Sequence, residues 1–111
     1  MAFSEIKLFQ VKPDKIEEFE LLCLEVQKIQ AQMFGCVSIR YIKRFYVWDN
    51  MELRKLTKVI KYVKYLSYWE FDSEDRYAMA NKAFFTEYGK AFQRLLIVPF
   101  DIFCGDNLGN N

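Results

Sequence analysis

Two stretches of helical periodicity interrupt a chain whose other apolar residues recur at a period of two, and this interleaving restricts the fold more than any other feature. Pro13 suits the first turn of a helix, and Asp14, Glu17 and Glu18 complement its positive end. Ile16, Phe19, Cys23, Val26 and Gln30 or Met33 then fall on one stripe, so the spacing predicts a helix over about 13–33, broken by Gly35. Ser73 is suited to cap a second helix with Glu74 and Asp75 in its first turn. Tyr77, Ala80, Phe84, Tyr88, Ala91 and Leu95 carry that helix over about 74–96.

The remaining segments read as strands. Residues 3–11 place Phe3, Phe9 and Val11 on one face and Ile6 and Leu8 on the other. Cys36 to Trp48 is rich in β-branched and aromatic side chains, Asp49-Asn50 offers turn chemistry, and Val59 to Phe71 is again strand-like, which predicts one long antiparallel hairpin. A last strand over Val98–Cys104 must keep Pro99 at its start or on an edge. The order β-α-β-β-α-β is the ferredoxin-like arrangement, an α+β fold with two helices on one face of a four-stranded antiparallel sheet. A chain of 111 residues, 52% apolar and 28% charged, suffices for one core. A single domain is expected over 1–104, followed by a polar tail, 105–111.

In the third strand the odd positions carry Val63, Tyr65, Trp69 and Phe71, and the even ones carry Tyr62, Leu66 and Tyr68. Ile42, Tyr46 and Trp48 add to the second of these faces, so both sides of the sheet are too apolar for water, and a homodimer joined through the sheets is expected. Net charge is only +1 and histidine is absent, which excludes Ser-His-Asp and Cys-His catalysis, His-ligated zinc and an axial His on haem. The four methionines are scattered and the three cysteines odd in number, so neither a metal site nor a disulfide framework is expected; Cys23, Cys36 and Cys104 read as buried reduced thiols. The longest apolar run, Leu95 to Phe100, contains a proline and is too short to span a bilayer, and residues 1–7 carry no leader pattern. The expectation is a cytoplasmic protein without membrane association.

Gly35-Cys36-Val37-Ser38 at the entry to the second strand, and Tyr68-Trp69-Glu70 followed by Ser73-Glu74-Asp75-Arg76-Tyr77, resemble the dimeric α+β barrel superfamily and, within it, the antibiotic biosynthesis monooxygenase group. The resemblance implies two sheets packed face to face in a dimer and a hydrophobic pocket between sheet and helices in each subunit. The haem-degrading branch of the family carries an Asn on the first strand and a Trp and a ligating His in the second helix. Ala80 and Lys90 stand at the Trp and His positions, which argues against that activity. The branch that oxidises polyketide phenols without a cofactor keeps an Asn and a Trp on the third strand and a Tyr at the start of the second helix. Trp69 matches, Tyr65 stands at the Asn, and Tyr77 lies two residues further along.

These readings nominate Trp69, Tyr65, Tyr77, Val63 and Phe84 as the wall of a mainly apolar cavity for a hydrophobic or aromatic small molecule, with no cofactor and no metal. An enzyme of this composition would position a reactive substrate or use Tyr, Asp, Glu or Lys as acid and base. The segment 40–64 offers a different reading. Arg40, Lys43, Arg44, Arg54, Lys55, Lys58, Lys61 and Lys64 face only Asp49 and Glu52 among interleaved aromatics, a pattern that single-stranded RNA-binding sheets use. Residues 61–68 lack the glycine of the RNA-recognition octamer and carry Lys64 where a small residue belongs, so nucleic acid is the weaker expectation. A purely structural dimer module is the third.

Overall fold

The structure is a computed structural model that describes residues 2–58 and 61–109. Its elements are β1 (Phe3–Val11), a 3-10 turn (Pro13–Lys15), α1 (Ile16–Ala31), β2 (Cys36–Lys43), β3 (Tyr46–Asp49), β4 (Glu52–Lys55), β5 (Val63–Phe71), α2 (Glu74–Gln93) and β6 (Asp101–Asp106). The main sheet is antiparallel with order β2-β5-β1-β6, and both helices cover one of its faces. This is the expected ferredoxin-like α+β architecture. The core lies between sheet and helices, where Phe9, Phe19, Trp69, Phe71, Phe84 and Phe92 are fully buried.

Sequence and structure part company at the hairpin. β2 stops at Lys43, opposite Tyr65, and the chain leaves the sheet to form a separate two-stranded ribbon in which Tyr46 pairs with Lys55 and Asp49 with Glu52. Asn50 and Met51 take φ values of 50° and 63°, the left-handed pair that a tight two-residue hairpin turn requires. β1 pairs with β5 as far as Val11, opposite Val63, so β2 leaves the sheet two positions before its backing ends, and the full hairpin expected from the sequence would have run well past that end. The first part of the expected third strand, Val59 and Ile60, lies outside the described residues.

Other boundaries shift by a turn or less. Pro13–Lys15 form a 3-10 turn before α1, and α2 ends at Gln93, because Leu95 and Leu96 turn inward and Leu96 bridges Val11. Pro99 precedes the last strand, which reaches Asp106: Gly105 pairs with Ser4 and Asp106 with Phe3, in the stretch expected to be tail. Gly35 takes φ +90° between α1 and β2, and a Cβ there would lie 2.6 Å from Arg76 Cδ, so the turn sits tightly against the start of α2. Of the three free cysteines, Cys23 is buried, Cys36 half-buried and Cys104 exposed, the last because β6 is an edge strand whose inward side α2 leaves uncovered. Among the described residues no helix is long and apolar enough to cross a membrane.

The face away from the helices carries Ile6 and Leu8 from β1, Ile42 from β2, Leu66 and Tyr68 from β5, and Phe103 from β6. Leu8, Ile42 and Phe103 are 43%, 52% and 73% exposed, an unusual density of bare apolar side chains for the middle of a sheet.

Candidate functional site: two tyrosine–glutamate–lysine centres

All five residues nominated from the sequence are buried, yet they do not gather around one void. They divide between the two ends of the helix-facing side of the sheet. Trp69, Tyr77 and Phe84 cluster under α2, with the Trp69 ring centroid 6.3 Å from Tyr77 and 6.1 Å from Phe84. Val63 and Tyr65 lie toward the start of α1, where the Tyr65 ring packs 4.6 Å from Phe19.

Where an apolar cavity was expected beside Trp69, the structure places charge. Strand alternation puts Glu5 and Lys7 on the same face as Phe3 and Phe9, and both are buried. Lys7 Nζ donates to Glu5 Oε1 at 2.7 Å, to Glu5 Oε2 at 2.8 Å and to Asn81 Oδ1 at 2.9 Å. The Tyr77 hydroxyl donates to Glu5 Oε2. The ammonium also lies over the ring of Phe84 at 4.2 Å, with Trp69 at 5.1 Å and Phe85 at 5.5 Å. The space assigned to a ligand is thus filled by a hydrogen-bonded ion pair inside an aromatic box. Burial is the larger influence on Lys7 and lowers its pKa against the opposing pull of Glu5; burial and the Glu5 carboxylate raise that of Tyr77.

The cover over this centre is thinnest along the β6 edge. Ile102 and Cys104 are the partners of Lys7 and Glu5 in the β1–β6 ladder and share their face, but both remain exposed. Trp69 adds a further irregularity: its indole N–H is buried with no oxygen or nitrogen acceptor and has only the Cys36 sulfur, a weak acceptor, beside it.

The second centre repeats the same three residue types. The Tyr65 hydroxyl donates to Glu20 Oε2, and Lys43 Nζ lies 2.8 Å from the same oxygen. Here water reaches the pair. A cleft of about 210 Å³ opens beside it, lined by Glu20, Cys23, Gln27, Tyr41, Lys43 and Tyr65. Hydrogen bonds from Lys43 and Tyr65 lower the Glu20 pKa, and burial raises that of the Tyr65 phenol. A larger cleft, about 450 Å³, spreads over the open sheet face between Leu8, Ile42, Leu66 and Tyr46 of the ribbon. Among the described residues there is no group of His, Cys, Asp and Glu side chains suited to hold a metal ion.

Sequence reasoning found the aromatic walls and missed Glu5, Lys7, Glu20 and Asn81. The one available signal was in β1, where two opposite charges stand two residues apart on the face that also carries Phe3, Phe9 and Val11.

No protein-family model and no curated protein matches the chain. Solved structures do. Rv0793 of Mycobacterium tuberculosis superposes with a TM-score of 0.72 at 13% identity, covering 99% of this chain and 98% of its own. The cofactor-independent oxygenase SnoaB of Streptomyces nogalater gives 0.69 at 14% identity, covering 98% and 95%. A monooxygenase of Streptomyces coelicolor in complex with Nanaomycin D gives 0.67 at 18%, covering 99% and 90%. The chain has the ferredoxin-like α+β fold of the antibiotic biosynthesis monooxygenases.

Proposed function

We propose that the protein binds a flat phenolic or quinone-like molecule on the helix-facing side of the sheet, at the Tyr77–Glu5–Lys7 centre, with Trp69 and Phe84 as its walls and Tyr65 and Val63 toward its far end. The observation that carries this reading is the Glu5–Lys7 pair itself, 0% and 1% exposed. Burying two charges costs several kcal/mol per ion before their attraction is counted, and an apolar pair of the same size would fold as well. The centre already holds a phenol: Tyr77 donates to Glu5 with an ammonium behind the carboxylate. A ligand hydroxyl that displaces the tyrosine meets the same acceptor, and the exposed Ile102 and Cys104 mark the edge nearest to it.

Such a site suits proton removal. Glu5 accepts the phenolic proton and Lys7 stabilises the resulting phenolate, the electron-rich species that transfers electrons to molecular oxygen. In a cofactor-independent oxygenation, oxygen adds to the ring carbon, the peroxide loses water, and the phenol leaves as a quinone. The likeness to SnoaB and to the Nanaomycin D complex supports this reading. The test is tryptophan quenching by hydroxynaphthoquinones. Saturable quenching that survives Trp48→Phe and is lost in Trp69→Phe and Glu5→Gln is expected; quenching carried by Trp48 alone removes the site. Oxygen uptake with a polycyclic phenol then reports turnover.

We also infer a homodimer through the open sheet face, supported by the exposure of Leu8, Ile42 and Phe103 around half-buried Leu66. Sedimentation at micromolar concentration is expected to give a dimer that Leu66→Lys dissociates, since the ammonium would be buried without a partner. A monomeric parent chain overturns the inference.

A further inference from the structure

We propose that the cleft between the start of α1 and the base of the β3–β4 ribbon is a second binding site, for a small aromatic carboxylate. It encloses about 270 Å³. That is just under the range of about 300–1,000 Å³ typical of small-molecule pockets and matches a bicyclic ring rather than a polymer. Ile16, Leu56, Phe45 and Val63 give it apolar walls, while Lys43, Arg44, Lys58 and Lys64 line it with no carboxylate among the lining residues. Lys43 is held by Glu20, but Arg44, Lys58 and Lys64 form no ion pair among the described residues. Lys64 Nζ is kept at the rim, 5.8 Å from the Tyr62 ring.

Four cations around one concavity repel one another when it is empty, and low-dielectric walls focus their field on its interior. A bound carboxylate relieves that repulsion, and its planar pair of oxygens fits the guanidinium fork of Arg44, with the Thr57 hydroxyl as a further donor. The apolar walls then take the ring. This gives a use to four of the eight cations of residues 40–64, none of which the Tyr77 centre engages.

Calorimetric titration of the full chain with naphthalene-2-carboxylate and with its neutral carboxamide tests the proposal. The acid is expected to bind at least about tenfold more tightly than the amide. Arg44→Gln with Lys64→Gln, and separately Lys58→Gln, should weaken the acid several-fold with unchanged circular dichroism. Trp69→Phe should leave this binding intact, which separates the cleft from the Tyr77 centre. Equal affinities for acid and amide, or indifference to the substitutions, overturn the proposal. Displacement of the naphthoate by a single-stranded oligonucleotide at physiological salt overturns it as well, in favour of a nucleic-acid surface.

Discussion

A tyrosine hydroxyl and a lysine ammonium converge on one glutamate at each end of the helix-facing sheet surface, and the two centres differ in their access to water. At the α2 end, Glu5 and Lys7 are 0% and 1% exposed; at the α1 end, Glu20 and Lys43 are 44% and 34% exposed. Burial dominates in the first, pushing the lysine toward its neutral form, whereas hydrogen bonding dominates in the second and favours the ionised glutamate. The same three side chains therefore make a costly, pre-formed charge pair in one place and an ordinary solvated bridge in the other. Chemistry needs the first kind, because a charge already stripped of water acts on a ligand without having to shed it.

The widest separation between the centres should come from removing each lysine. Lys7→Met leaves the Glu5 carboxylate buried and unpaired, at a cost of about 3–5 kcal/mol in urea denaturation, whereas Glu5→Gln with Lys7→Met recovers most of the loss. Lys43→Gln should cost under about 1 kcal/mol, and less in high salt. Equal losses at the two lysines would erase the distinction. A smaller effect is expected from the phenols: Tyr77→Phe removes one of the two donors to Glu5 Oε2, Lys7 keeping the other, and should cost about 1 kcal/mol, more than Tyr65→Phe, whose Glu20 partner is reached by water.

The smallest and most diagnostic effect is in the pH profile. The Lys7 pKa is lowered from 10.5, so between its folded value and 10.5 the unfolded chain carries the extra proton and stability rises with pH. Tyr65 and Tyr77 are raised from 10.0, so above that pH the unfolded chain loses protons the folded one keeps, and stability falls. Glu20 acts at the acid end, where its contribution disappears as pH drops through its lowered folded value. Lys7→Met should abolish the alkaline rise and leave both other limbs; a rise that persists in the variant would mean that Lys7 stays charged in the folded protein.

The strand alternation made the orientation of Val63, Tyr65, Trp69 and Phe71 legible, because a half-covered sheet writes its faces into the sequence with period two. The same rule assigned Glu5 and Lys7 to the inside, but charge argues for solvent unless a partner is known, and the third partner, Asn81, comes from a helix some seventy positions later. The ribbon was hidden for a different reason. Cys36–Trp48 has strand chemistry throughout, and nothing in its own sequence marks Lys43 as the point where it changes partner from β5 to β4. The alternation put Tyr65 on the helix-facing side but not beside Glu20, since a carboxylate on the first helix is indistinguishable in sequence from one that only caps its positive end.

β1 is the first strand made and a central strand of the sheet, flanked by β5 and β6, which lie some sixty and one hundred positions downstream. During synthesis it therefore emerges with both backbone edges bare and waits for most of the chain before its first ladder can form. Its inward side chains, the Glu5–Lys7 pair among them, stay hydrated until β5 arrives and give up that water in the same late step that closes the sheet. Long-range pairings of this kind slow folding. The strand that carries the buried charges is thus also the one whose completion decides when the nascent chain becomes a folded protein, and Glu5 and Lys7 make β1 less prone to aggregate while it waits than a wholly apolar strand would be.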